Sequence, residues 1–258
     1  MNRFSLIVFA FLFSSHLFAQ TSSPVSDKTV QNQQNWFTYF AQYKLSEKWG
    51  VHTDVQFRMD ENVQFAKQNL VRAGLIRYFT PKLNFTTGYA YINSHNAGLN
   101  DYATEHRIWE QLIYAHRPAE LGMTHRFRLE QRFVEKLSRD KDGSIASEYV
   151  YGNRFRYFNR TIVDLTKNPE VQNVFYIAFQ DEVFLNFASP DINKNFFDQN
   201  RFLLAFGVFH DKKTRLELGY MNQFSNPQNG PNVMNHIGHV SILQTLNFMK
   251  PVKVPAAN

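Results

Sequence analysis

Apolar and polar side chains alternate along most of this chain with a period of two. Between Phe196 and Phe224 the pattern is plainest. Phe202, Leu204, Phe206 and Val208 fall on one side of an extended segment, and Gln199, Arg201, Leu203, Ala205 and Gly207 on the other, because successive side chains on a strand leave opposite faces. After a turn at His210-Asp211-Lys212-Lys213, Leu216, Leu218 and Tyr220 oppose Arg215, Glu217, Gly219 and Gln223. An earlier segment repeats the scheme, with Trp49, Val51, Thr53, Val55 and Phe57 against Gly50, His52, Asp54, Gln56 and Arg58. Each arm is longer than the roughly 9–11 residues a tilted strand needs to cross a hydrocarbon layer.

Applied to the whole chain, this pattern predicts strands near 36–44, 49–58, 68–79, 83–93, 104–116, 122–135, 148–160, 172–187, 198–210, 214–224 and 236–249. Few windows carry a helical period. The connections alternate in length: short at 45–48, 80–82, 117–121 and 210–213, and longer at 59–67, 94–103, 136–147, 188–197 and 225–235. The stretch 161–171 is intermediate. Tight turns at one end and long loops at the other suit an up-and-down antiparallel transmembrane β-barrel rather than a Greek-key sandwich. Bacterial barrels of this kind usually have an even strand number, and eleven strands are legible here. The expectation is therefore about twelve strands, with residues 20–35 supplying the twelfth or threading the lumen; ten would follow if two weak segments are not strands.

The chain begins with a secretory leader: Arg3, an apolar core from Phe4 to Phe13, and Leu17-Phe18-Ala19 before a cut at Gln20. The expected organisation is a signal peptide over 1–19, a polar arm or weak first strand over 20–35, the barrel over 36–250 and a tail over 251–258. No later window is long and apolar enough for a membrane helix. Mean hydropathy is −0.42 although 16% of residues are aromatic; a barrel that shows one row of each strand to lipid and hides the other accounts for both. There are no cysteines, which excludes disulfides, thiolate metal sites, a cysteine nucleophile and a lipidated N-terminal cysteine. The formal charge is +6, or +5 without the leader's Arg3. That surplus suits anionic lipid headgroups or an anion-favouring lumen, and no basic run or motif points to nucleic acid.

In the last segment Val240, Ile242, Leu246 and Phe248 share a face and end in an aromatic residue, similar to the terminal signal read by barrel-assembly machinery. Asn35-Trp36, Lys44-Leu45-Ser46-Glu47-Lys48-Trp49, Glu105-His106-Arg107-Ile108-Trp109-Glu110-Gln111, the segment Arg126 to Arg132, and Asp198-Gln199-Asn200-Arg201 together resemble the domain-of-unknown-function 2490 family of bacterial envelopes, notable in Bacteroidetes. The resemblance spans essentially the whole mature chain. It implies a barrel in the outer membrane, in contact with outer-membrane lipids and lipopolysaccharide, and supplies no reaction or catalytic residue.

Charged side chains fall on the faces opposite the apolar rows. Arg126, Arg128, Glu130 and Arg132 oppose Phe127, Leu129 and Phe133; Arg154 and Arg156 oppose Tyr151, Phe155 and Tyr157; Glu182 opposes Val183 and Leu185. With Arg201, Arg215 and Glu217 they form the expected lumen-facing ladder, since an arginine at the lipid midplane costs ~2–4 kcal/mol. The ladder can rigidify the barrel through charge-assisted hydrogen bonds or form an anion-selective constriction. A monomer is expected, with no cofactor or metal.

A lipid-modifying hydrolase is an alternative, with His52, His106, His125, His210, His236 and His239 as possible bases. No serine stands in a nucleophile motif, however, and Ser94-His95-Asn96 reads as an ordinary turn. His236 and His239 fall on opposite faces, as do Asp181 and Glu182, which disfavours a shared metal or an acid/base pair. A soluble periplasmic barrel around an apolar ligand would show the same alternation turned inside out. Trp36, Trp49 and Trp109, with Tyr39, Tyr78, Tyr89, Tyr91, Tyr114, Tyr149 and Tyr151, include expected members of interfacial aromatic girdles.

Overall fold

Alternation becomes a closed wall in the computed structural model, which describes residues 29–166, 173–210 and 213–249. The expected leader, residues 20–28, residues 167–172 with the expected start of the eighth strand at 172, the centre of the 210–213 turn and the expected tail lie outside the described residues. Eleven strands follow in order. They are β1 (Val30–Lys44), β2 (Trp49–Asp60), β3 (Ala66–Thr80), β4 (Leu83–Asn96), β5 (Asp101–His116), β6 (Gly122–Arg139), β7 (Ile145–Asp164), β8 (Val174–Phe187), β9 (Phe197–His210), β10 (Thr214–Ser225) and β11 (Val233–Asn247). One 3₁₀ turn, Pro118–Glu120, sits between β5 and β6.

Each strand pairs antiparallel with its neighbour in sequence, and β1 and β11 close the ring in parallel, from Val30 opposite Val233 to Lys44 opposite Asn247. This closure is where the structure departs from the expected even number. Residues 30–35 do not form a twelfth strand; they extend β1. An odd barrel needs one parallel pair, because its first and last strands run the same way. Side chains stitch that seam: Gln34 Nε2 donates to Asn235 Oδ1 at 3.0 Å, the Tyr39 hydroxyl donates to Gln244 Oε1 at 2.7 Å, and Thr38 Oγ1 meets His239 Nε2 at 3.2 Å.

The connections also differ from expectation. Those predicted to be long shrink to 61–65, 97–100, 140–144, 188–196 and 226–232, because their polar flanks continue as paired strand. Arg139 opposite Ile145 closes the longest hairpin. Where both faces of a strand are wet, the apolar row stops while backbone pairing continues, so hydropathy ends a strand too early. Short polar side chains hold the turns by accepting backbone N–H groups. Thr80 Oγ1 takes Lys82 and Leu83, Ser46 Oγ takes Lys48 and Trp49, and Asp60 Oδ1 takes Gln64.

The outer wall is apolar: Phe57, Val71, Leu75, Ile108, Phe206, Leu216 and Leu218 are exposed on it. The inner wall holds the buried charges. Three of the expected girdle residues lie on the inward face instead: Trp36, Trp109 and Tyr78, whose hydroxyl stands against Gly50. Trp109 is fully buried because Gly74 and Gly88 face it, and a Cβ on Gly88 would stand 2.1 Å from the Ala73 carbonyl oxygen and 2.7 Å from the indole. Trp49, half-exposed at a strand start, carries Arg77 over its ring at 4.7 Å.

Candidate functional site: the charged lumen

Strand pairing places the predicted ladder residues side by side on the inner face. Arg128 is opposite Arg156, Glu130 opposite Arg154, and Glu182 opposite Arg201. All ten ladder residues lie inward: Arg128, Glu130, Arg132, Arg154, Arg156, Glu182, Arg201 and Glu217 are buried, and Arg126 and Arg215 are partly so. Glu130, 1% exposed, is the centre of the group. It accepts from Arg154 Nε at 3.0 Å, Arg154 Nη2 at 2.7 Å and Arg156 Nη1 at 2.6 Å. Arg107 and Arg128 stand 3.7 and 3.8 Å from its oxygens.

The neighbours share charges in turn. Glu182 Oε1 accepts from Arg126 at 2.6 Å and from Arg156 at 2.7 and 2.9 Å. Arg154 also reaches Asp198 at 2.9 Å. Such charge-assisted forks are short and geometrically demanding, so this side of the lumen is a rigid lattice.

Several lumen residues have no place in the predicted ladder. Glu105 is gripped by two forks, from Arg107 at 2.5 and 2.9 Å and from Arg132 at 2.6 and 3.2 Å. Asp54 accepts from Arg72 at 2.8 Å, and Arg160 and the Tyr176 hydroxyl both donate to Glu217, the latter at 2.6 Å. Arg58 and Asp198 complete the set. The signal was present: Glu105, Arg107, Trp109 and Gln111 alternate on one face of β5, and Asp54, Gln56 and Arg58 on one face of β2.

Aromatic faces carry guanidinium groups elsewhere. Arg58 lies 3.9 Å and Arg201 5.1 Å from the Trp36 ring, Arg156 4.3 Å from Phe184, Arg126 4.2 Å from Phe158, and Arg128 4.9 Å from Trp109. Stacking of this kind attracts a cation without neutralising it.

These walls enclose a cavity of about 600 Å³. Arg58, Arg72, Arg107, Arg126, Arg128, Arg132, Arg154, Arg156, Arg160, Arg201, Arg215 and Lys67 border it, twelve cations among the described residues. The carboxylates are Asp54, Glu105, Glu182 and Glu217 on its surface, with Glu130 and Asp198 behind, six in all. Every buried side-chain atom that borders the cavity without a hydrogen-bond partner is a nitrogen. They are Arg58 Nε, Arg72 Nε, Arg126 Nε, Arg128 Nη1, both ring nitrogens of His52, and His239 Nδ1. The four arginine nitrogens can only donate, while a neutral imidazole offers one donor and one acceptor, so the cavity is short of acceptors at its arginines.

The histidines do not assemble a nucleophile's base. On the outer wall His106 meets Tyr89 and Tyr149, His236 meets Tyr220 and Gln31, and His116, His125 and Tyr157 form a chain at 3.2 and 2.9 Å. His52 and His239 are buried inside, and His210 ends β9 beside Asn173 at 2.7 Å. Asp181 faces outward to Asn200 at 2.8 Å, with its back to Glu182.

An apolar outer wall around a cation-rich interior defines the class: a closed, mostly antiparallel β-barrel with an inverted core. The chain belongs to the family described as protein of unknown function (DUF2490), which matches residues 33–235. No curated protein and no solved structure matches it.

Proposed function

We propose that this protein is an exported outer-membrane barrel whose narrow lumen favours small anions. The observation that carries the reading is the sorting of side chains: phenylalanine, leucine and valine outward, twelve cations against six carboxylates inward. In water such an outer wall is unfavourable, whereas in lipid it is required, because a guanidinium turned outward at mid-height costs ~2–4 kcal/mol. The closed ring leaves no unpaired strand edge, which is the condition for crossing a bilayer with strands. The outer face meets outer-membrane lipids and lipopolysaccharide; the leader and the aromatic-ended last strand suit export and assembly by barrel-inserting machinery, and a monomer suffices.

Width favours a constriction. Eight strands are filled by side chains and 16–18 leave a wide channel, so eleven strands crossed by arginine forks leave the small cavity observed. A wide general porin does not fit. A soluble barrel around an apolar ligand would need an apolar interior, opposite to the one found. A lipid hydrolase would need a serine hydroxyl held by a histidine on the outer wall, where the described histidines bond to tyrosine hydroxyls and to His, Asn and Gln groups.

Purified protein should show heat-modifiable gel mobility and co-fractionate with outer membranes. In planar bilayers with a potassium chloride gradient it should give small conductance with a reversal potential on the chloride side. Folded protein that never conducts, or that conducts with cation selectivity, removes the anion-pore reading.

A further inference from the structure

Three cavity-lining arginines, Arg58, Arg201 and Arg215, make no ion pair among the described residues; Arg215 lies over Phe209 at 4.7 Å, whereas the other two share a ring. Arg154, Arg156 and Arg132 are saturated by carboxylates, whereas no carboxylate among the described residues comes within salt-bridge distance of Arg58 or Arg201. Both are held by neutral groups. Arg58 donates to Gln68 Oε1 at 2.5 Å and Gln56 Oε1 at 2.8 Å, and Arg201 donates to Gln199 Oε1 at 3.0 Å. Both stack on Trp36, whose indole N–H is fixed by Gln34 at 2.9 Å. They are therefore neighbouring like charges that share the Trp36 ring and a set of amides, Arg201 also lying 4.6 Å from the Phe184 ring, with Arg58 Nε buried and unpartnered.

Repulsion between adjacent guanidiniums is retained at a cost in stability unless something answers it. The position is informative: Arg58 and Arg201 lie toward the end of the barrel where β1 begins, and the cavity continues past them along Gln68, Ser94 and Asn235. Deeper in, His52, Arg72 and Arg128 turn further unpartnered nitrogens on the same cavity; His52 is 2% exposed and bonds through neither ring nitrogen.

We propose that this part of the lumen is a binding site for a small, water-soluble phosphate or diphosphate, with Arg58 and Arg201 as its primary contacts and Trp36 as the plate they share. This assignment rests on the anion-favouring lumen argued above and names its ligand class. A phosphate group brings three acceptor oxygens and a charge of about −1.5 to −2, against two oxygens and a single charge on a carboxylate, so one phosphate offsets two neighbouring guanidiniums that a lone carboxylate would leave half-neutralised. The paired wall closes the site from the lipid side, so the phosphate comes from solution and not from a lipid headgroup.

The test uses full-length mature protein folded in detergent micelles, with folding checked by heat-modifiable mobility for every variant. Pyrophosphate is titrated by calorimetry and by tryptophan fluorescence. Saturable binding is expected, weakened at least tenfold in Arg58→Gln and in Arg201→Gln and unchanged within twofold in Arg77→Gln on the outer wall. Trp36→Phe should lose most of the fluorescence response while calorimetric binding persists. Absence of saturable binding to folded wild-type protein overturns the proposal, as does equal affinity in the Arg58→Gln/Arg201→Gln double variant. Citrate binding tenfold tighter than pyrophosphate overturns the phosphate assignment, and competition by phosphatidic acid in the micelle as strong as by soluble phosphate overturns the assignment to a soluble ligand. Chloride selectivity in bilayers without pyrophosphate binding sinks this site and leaves the anion pore standing; binding by a barrel that never conducts does the reverse.

Discussion

Replacing Glu130 by glutamine keeps its shape and removes one charge from the most crowded point of the lumen. In the native protein that carboxylate accepts three hydrogen bonds from Arg154 and Arg156 and has Arg107 and Arg128 within 3.8 Å. A pair of unit charges at about 4 Å interacts by roughly 4 kcal/mol when the surroundings behave as a medium of effective dielectric about 20. Losing one partner of a buried ion pair destabilises proteins by about 3–5 kcal/mol, because the remaining charge stays buried and uncompensated. Here Arg154 keeps Asp198 at 2.9 Å and Arg156 keeps Glu182 at 2.7 Å, so the lower end, about 3 kcal/mol, is expected. Arg128 keeps no carboxylate, since its one ion-pair contact among the described residues is the 3.8 Å approach to Glu130; it is left with Gln111 Oε1 at 2.6 and 3.0 Å and the Trp109 ring.

Reversible folding into phospholipid vesicles against urea, read by the mobility shift, measures the change. With a denaturant dependence of about 1–3 kcal/mol per molar, the midpoint should fall by about 1–3 M. Adding Arg128→Met to the glutamine variant should restore part of the loss, with a coupling of about 0.5–3 kcal/mol. A Glu130→Gln midpoint within error of wild type, or strictly additive single and double variants, would refute the lattice argument.

Three further outcomes probe separate parts of the structure. Leu218, 67% exposed on the outer wall, should cost ~2–4 kcal/mol of folding into lipid when changed to arginine if it faces the hydrocarbon; unaltered folding would place that face outside it. The parallel seam predicts that Phe37→Cys with Val240→Cys, residues directly opposite in register, forms an intrachain disulfide in this otherwise cysteine-free chain. Its failure under mild oxidation of folded protein would reject the closure. Gly88→Val should abolish folding, since the Cβ alone meets the Ala73 backbone oxygen; a heat-modifiable, well-folded variant would show that the Trp109 packing is wrong.

How much of this was legible depended on distance along the chain. All eleven described strands fall where the alternation predicted them, and the inward rows of β6, β7 and β10 could be read from Arg126, Arg154 and Glu217 with their neighbours. Strand ends were read short at Arg139 and Val30, because polar residues beyond the apolar rows carry no face information. Trp36 and Trp109 were expected in the outer girdles although each shares a face with polar residues. Their burial depends on the space left by Gly74 and Gly88 and on the arginines stacked against them. Arg58, Arg72, Glu105 and Arg107 were visible as alternating positions but unremarkable singly.

The sequence by itself determined which side of each strand is greasy and which is charged, since a period of two is a property of neighbouring residues. Only the tertiary structure decided that the ring closes on eleven strands through a parallel seam, for closure requires the tilt and register of every strand at once. It also decided the partners within the lumen. Glu182 takes Arg126 and Arg156, while Arg58 and Arg201 are left to aromatic rings and glutamine amides, because distances across a barrel depend on the strands between and leave no mark in the local pattern.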